Sequence, residues 1–246
     1  MKVSIIGSGN VAWHFAARLS EKDTEVEIVH RSPLSNVFHG INCSNSSELN
    51  PDAELVIMAV SDRSIKEVAN TYSIPEKSVI VHCSGSVGIE VFSQSGNKSY
   101  GVLYPLQSLT ADIEVREMPI LVEGNSDRIA SMLCDFARTI SSNVQQVGSP
   151  ERRKMHAAAV FASNFVNHLL GVSSEILDGI PLSVLQPLIL TTVDKALSIG
   201  PKKAQTGPAI RRDTETMGLH EQLIEEELHL ELYKMISDHI QKTEAP

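Results

Sequence analysis

Short apolar runs alternate with helix-spaced apolar positions through the first half of the chain. Lys2–Ile6 runs apolar into Gly7, which predicts a buried strand, and Asn10–Ser20 places Val11, Phe15 and Leu19 on one helical face. Val26–His30, Leu55–Val60, Val79–His82 and Gly101–Leu103 predict further strands, with a helix near Ser64–Tyr72. Pro119–Val122 and Val144–Val147 flank a helical pattern at Arg128–Ser141 and predict strands that extend the sheet. Such alternation implies an α/β fold, a doubly wound and mostly parallel Rossmann sheet with extra strands.

After Gly148-Ser149-Pro150 the period changes. Glu151–Leu177 predicts one long helix, apolar on nearly every side over Ala157–Phe165, a pattern that predicts burial on most faces. Leu182–Ile199 predicts a second helix, with Pro187 near its start. Leu228, Leu232, Met235, Ile236 and Ile240 mark an amphipathic last helix. The expected organisation is a dinucleotide-binding domain over residues 1–149 and an all-α domain over 150–246 for substrate binding and dimerisation.

Composition narrows the function. The 246 residues carry a net charge of −9, which argues against a generic nucleic-acid or anionic-membrane binder. No stretch approaches the roughly 20 apolar residues of a membrane span, and the opening Met1–Gly7 enters a strand pattern without a secretory leader. Cys43, Cys83 and Cys134 are odd in number and widely spaced, which fits a reducing cytoplasm. The nine histidines are scattered, so no metal site is expected.

Gly7-Ser8-Gly9-Asn10-Val11-Ala12 reads G-x-G-x-x-A between a strand and a helix. Gly7 permits the tight turn, Gly9 lets a pyrophosphate approach the backbone, and Ala12 lets the helix pack on the strand. The free amides of the helix N-terminus then face the phosphates. The second strand ends His30-Arg31-Ser32, where NAD-specific domains place a carboxylate; Arg31 and Ser32 instead suit the 2′-phosphate of NADP. Ala59, Val60 and Ser61 end the next long strand and Ser84 follows another, all at the edge expected to border the cofactor crevice. Cys83 reads as a small packing residue.

Gly-Ser-Gly-Asn-Val-Ala at the start, the Ala59-Val60-Ser61-Asp62 strand end and the helical second half resemble the 6-phosphogluconate dehydrogenase-like superfamily of reductases. Three segments resemble more closely a bacterial family of proposed NADP oxidoreductases that join a Rossmann-like domain to a helical domain of unknown function. They are Tyr104–Ser108, His156–Asn164 and Thr206–Asp213. The resemblance covers nearly the whole chain and implies the fold, an NADP cofactor and a homodimer through the helical domain; it names no substrate. Members of the superfamily that act on 3-hydroxyacids carry K-x-x-x-N on the long helix, whereas Lys154 here is followed four residues later by Ala158.

Reduction of C=O or C=N requires a proton donor. His156 and Asn164 interrupt the apolar helix and are the candidate donor and positioner; the alternative is that they are core polar residues bonded to backbone or to a second subunit. Gly207-Pro208 makes a rigid turn, Asp213 can cap the following helix, and Arg211 is the candidate clamp for an anionic group. Tyr104-Pro105-Leu106-Gln107 can wall the pocket, as can any loop crossing the sheet end. The expected activity is hydride transfer from NADPH to a small carbonyl or imine compound. A non-catalytic dinucleotide sensor or scaffold is the alternative from another class, and a pyrroline-5-carboxylate-type reductase the alternative within it.

Overall fold

The computed structural model describes residues 1–31 and 33–243. They fall into two compact units, one ending at Ser163 and one beginning at Asn164.

The first unit is built on one eight-stranded sheet in the order β3-β2-β1-β4-β5-β6-β7-β8. The strands are β1 (Lys2–Ile6), β2 (Glu25–His30), β3 (Asn42–Asn45), β4 (Leu55–Met58), β5 (Val79–His82), β6 (Tyr100–Pro105), β7 (Ile120–Gly124) and β8 (Val144–Gln146). The first six are parallel, in the order of a Rossmann sheet, and the chain reverses sheet direction between β1 and β4. β7 pairs antiparallel with β6, Tyr104 opposite Leu121, and β8 is parallel to β7.

Helices α1 (Asn10–Ser20), α2 (Ile65–Thr71) and α3 (Asp127–Arg138) cover the sheet. Two apolar clusters result, and the strands feed them alternately: Val3, Ile5, Leu55 and Ile57 pack with Phe15, Leu19 and Leu133, while Ile6, Val56, Met58 and Ile80 pack with Ile65, Val68 and Phe92. Central parallel strands buried on both faces explain why β4 and β5 are apolar at every position except the terminal His82.

The long helix expected over Glu151–Leu177 is three pieces in succession: α4 (Ser149–Ala159), a π-helical turn over Val160–Asn164, and α5 (Phe165–Ile176). The second unit continues with α6 (Gln186–Ile199), α7 (Pro201–Ala204), α8 (Pro208–Arg211), α9 (Thr214–Leu223) and α10 (Glu227–Thr243). Pro187 sits in the first turn of α6, where its missing N–H costs nothing.

Two expectations need correction. Ala157–Phe165 is not buried on most faces within the chain, since Phe161 is 71% and Phe165 46% exposed. The neighbouring elements of one chain are too few to cover a helix apolar all round. In addition, Leu182–Ile199 comes close to a membrane span in length and mean hydropathy (18 residues, 1.3), and none of it is buried. It carries Asp194 and Lys195 in its second half.

Candidate active site

The carboxyl ends of β1, β2 and β4 open onto a cleft of about 450 Å³, lined among others by Gly7, Gly9, His30, Arg31, Ser61 and Tyr72. It lies at the point where the strand order reverses, the place where doubly wound sheets hold ligands. Ser8, Ala59 and Val60 line it too. Ser32 lies outside the described residues.

Each element of the turn has a local reason. Gly7 adopts φ +113°, and a Cβ there would stand 2.3 Å from the carbonyl oxygen of Ala59, so only glycine fits. A Cβ on Gly9 would meet nothing within 4 Å, leaving that side of the backbone open to approach. Ala12 is wholly buried, which lets α1 lie against the sheet. Among the described residues no side chain caps α1 and no acidic residue occupies its first turn. Its first amides therefore remain to satisfy an anion, and the turn fits the diphosphate of a dinucleotide.

The neighbouring side chains brace this turn. The Ser8 hydroxyl accepts from the Ser35 amide at 3.1 Å, and Asn36 donates to the Ser8 carbonyl at 2.8 Å. Asn10 turns away from the turn and clamps the loop after β6, donating to the Leu109 carbonyl at 3.0 Å and accepting from the Ala111 amide at 3.3 Å. Val11 packs against the core. Arg31 holds its guanidinium 5.7 Å from the centroid of the Tyr72 ring and 3.4 Å from Glu67.

A second set of groups gathers further along the same edge, after β5 and β6. Ser84 closes a tight turn, its hydroxyl accepting from the amides of Ser86 at 3.1 Å and Val87 at 2.9 Å. Ser86 in turn donates to Asp62 at 2.5 Å. The Tyr104 hydroxyl lies 2.8 Å from Nδ1 of His156, with the two rings edge to face. Burial, and after it the Asp62 carboxylate, push the Tyr104 phenol up from its usual range, against the opposing charge of Arg152. Burial likewise pushes the Cys83 thiol up, so Cys83 is no thiolate nucleophile.

Arg152 anchors this set from beneath. It is wholly buried and pairs with Glu123 of β7, while its other nitrogen donates to the Val87 carbonyl. Ser149 adds hydrogen bonds to the same carboxylate. Sequence reasoning missed Arg152, because it sits in the charged run Glu151–Lys154, and it gave Tyr104 no hydrogen-bond partner.

Asn164 and Arg211 belong to the second unit. Asn164 ends the π-helical turn and is exposed. Arg211 ends α8, after Gly207 at φ +110°, and its guanidinium is 3.9 Å from Asp213. Asp213 caps α9 by accepting from the Thr216 amide at 3.1 Å, and that bond is the largest of the influences that hold its carboxyl below the usual range.

A family model described as a domain of unknown function, DUF2520, matches residues 118–240, half of the chain. The chain belongs to the DUF2520 family. Among solved structures the likeness covers the whole fold: the proposed NADP oxidoreductase BF3122 of Bacteroides fragilis is 30% identical, with 98% of each chain covered and a TM-score of 0.88. The protein TM1727 of Thermotoga maritima is 25% identical over 98% of each chain, with a TM-score of 0.75. The pyrroline carboxylate reductase of Plasmodium falciparum, solved with NADP bound, shares the fold at 12% identity, covered 99% by a match to 98% of this chain, with a TM-score of 0.64. No curated protein matches the chain by sequence. This DUF2520 chain thus joins a Rossmann sheet to a helical region, the architecture of its family.

Proposed function

We propose that this chain is an NADP(H)-dependent oxidoreductase that reduces a small carbonyl or imine compound in the cytoplasm. The observation that carries the reading is the turn Gly7–Ala12 at the sheet's switch point, with Gly9 open and the amides of α1 uncapped. Gly7, Ser8 and Gly9 would hold the diphosphate. Arg31, at the end of β2 where NAD-binding domains carry a carboxylate, favours the 2′-phosphate of NADP. When bound, the nicotinamide supplies a pair of electrons. The protein's part is the proton and the placement of the substrate: His156 donates, Asn164 orients, and Arg211 binds an anionic group.

The helical half, from residue 150 onward, supplies the contacts of a homodimer. Leu188, Leu190, Val193 and Leu223 are all exposed, as is Leu197 at 82%. Apolar exposure on this scale marks an association surface. Light scattering at micromolar concentration should report twice the 26.8 kDa chain mass, and a monomer alone would overturn the dimer.

The test of function titrates the protein with NADPH and NADH and follows cofactor consumption across a panel of carbonyl and imine compounds, pyrroline-5-carboxylate included. Turnover with NADPH is expected, and His156→Ala should lower it ~10²–10⁴-fold with the cofactor's Kd unchanged. Tight binding with no consumption of either cofactor across the panel would sink the enzymatic reading in favour of a sensor or scaffold.

A further inference from the structure

We propose that Tyr104 is a positioning residue whose hydroxyl fixes the His156 imidazole with Nε2 outward, so that the transferable proton always sits on that atom. The inference rests on the reading of His156 as the proton donor.

Three observations on separate elements converge. The Tyr104 hydroxyl, at the end of β6, meets His156 Nδ1 of α4 at 2.8 Å. The backbone of the turn after β5 presses on that contact: a Cβ on Gly85 would lie 2.6 Å from Cγ and Nδ1 of His156 and 2.8 Å from Cζ of Tyr104. Only a glycine lets the loop close over this hydrogen bond, and the Tyr104 hydroxyl then selects the ring orientation that presents Nδ1 to it. Third, no hydrogen bond is formed by His156 Nε2 among the described residues, and the residue is only half-buried.

A hydroxyl is the partner this role requires. It donates to Nδ1 when the imidazole is neutral and accepts from Nδ1–H when the ring is charged, so one geometry serves both states. A carboxylate in its place would accept only, and an ammonium would donate only. The charged groups around the pair are Asp62, after β4, and Arg152, one turn before His156 on α4. Burial and Asp62 keep the phenol protonated, which preserves both abilities. In the step itself the imidazolium's Nε2–H bond breaks and its electron pair stays on Nε2. The proton passes to the oxygen or nitrogen of the reduced substrate, and Nδ1–H remains bonded to the Tyr104 oxygen. That Nδ1–H ring is the immediate product of the transfer and not the resting tautomer: water returns a proton to Nε2, Nδ1 gives up its own to water, and in the neutral resting ring Tyr104 again donates to Nδ1.

The experiment is 15N NMR of the full chain with labelled histidine, wild type against Tyr104→Phe, alongside turnover. In the neutral wild type the proton should reside on Nε2, with Nδ1 showing the shift of a hydrogen-bond acceptor. Tyr104→Phe should move the Nδ1 signal to its unbonded value and lower kcat ~10–100-fold, leaving KM and the NADPH Kd within about twofold. Tyr104→Phe and His156→Gln should be non-additive, because they disable one unit. A neutral wild-type ring with its proton on Nδ1, or signals identical in the two proteins, overturns the proposal; the first needs no variant at all. Retained turnover in His156→Gln, with the Tyr104→Phe shift still present, would instead refute His156 as the donor and leave Tyr104's hold on the ring standing.

Discussion

Replacing His82 with Asn removes one titratable ring from the interior while keeping an acceptor near the Ser84 amide, which Nδ1 of His82 now binds at 3.2 Å. His82 ends β5, is wholly buried, and packs 5.5 Å from the Phe92 ring. Burial, and after it the charge of Arg152, push its pKa down from 6.5 to about 4. The unfolded chain therefore takes up a proton that the folded chain refuses. Stability from this residue is complete above the unfolded value of 6.5 and is lost as the pH falls towards about 4. A gap of this size amounts to about 3 kcal/mol in full, and to about 2 kcal/mol between pH 7 and pH 5. Urea unfolding of both proteins at those two pH values measures it. Other groups titrate alike in both, so the loss on acidification should be smaller in His82→Asn by about 2 kcal/mol. Equal losses in the two proteins would refute the argument, whatever the absolute stability of the variant.

Arg152→Met should destabilise the first unit by about 3–5 kcal/mol, because it strands the Glu123 carboxylate in the interior; thermal melts should show the double variant Arg152→Met/Glu123→Leu recovering part of the loss. Gly7→Ala should abolish dinucleotide binding by calorimetry and lower the Tm, since the methyl would meet the Ala59 carbonyl at 2.3 Å. Arg31→Ala should weaken NADPH binding ~10–100-fold and leave NADH binding nearly unchanged, and equal affinity for both cofactors in the unaltered protein would remove its basis.

The parts of the fold legible in the sequence were those written in local periodicity. Uninterrupted apolar runs such as Leu55–Met58 report burial on both faces, and Gly7 and Gly9 report a backbone that must turn tightly and stay open. β3 was not legible, because Asn42-Cys43-Ser44-Asn45 at the sheet edge has no apolar stripe to bury. Nor was the reversal of β7, which depends on pairing rather than pattern. The Tyr104–His156 contact joins residues 52 apart in the chain, and no spacing rule reaches that far. Arg152 looked like one more solvated charge until its partner Glu123 came from another element. The apolar stretch Ala157–Phe165 was read as buried because periodicity reports that a face wants cover without reporting which chain provides it.

The reversal of β7 turns α4 into a measuring rod. Glu123 stands opposite Val102 on β6, and two strand residues further on is Tyr104, a climb of about 7 Å. On α4 the residue tied to Glu123 is Arg152, and the one that meets Tyr104 is His156, four helical residues later and about 6 Å along the axis. Strand and helix thus advance in step between two fixed pegs. Inserting or removing a single residue between Arg152 and His156 would slip the imidazole by about 1.5 Å and swing it through about 100°. The length of that stretch is set by its two ends, whatever side chains lie between them.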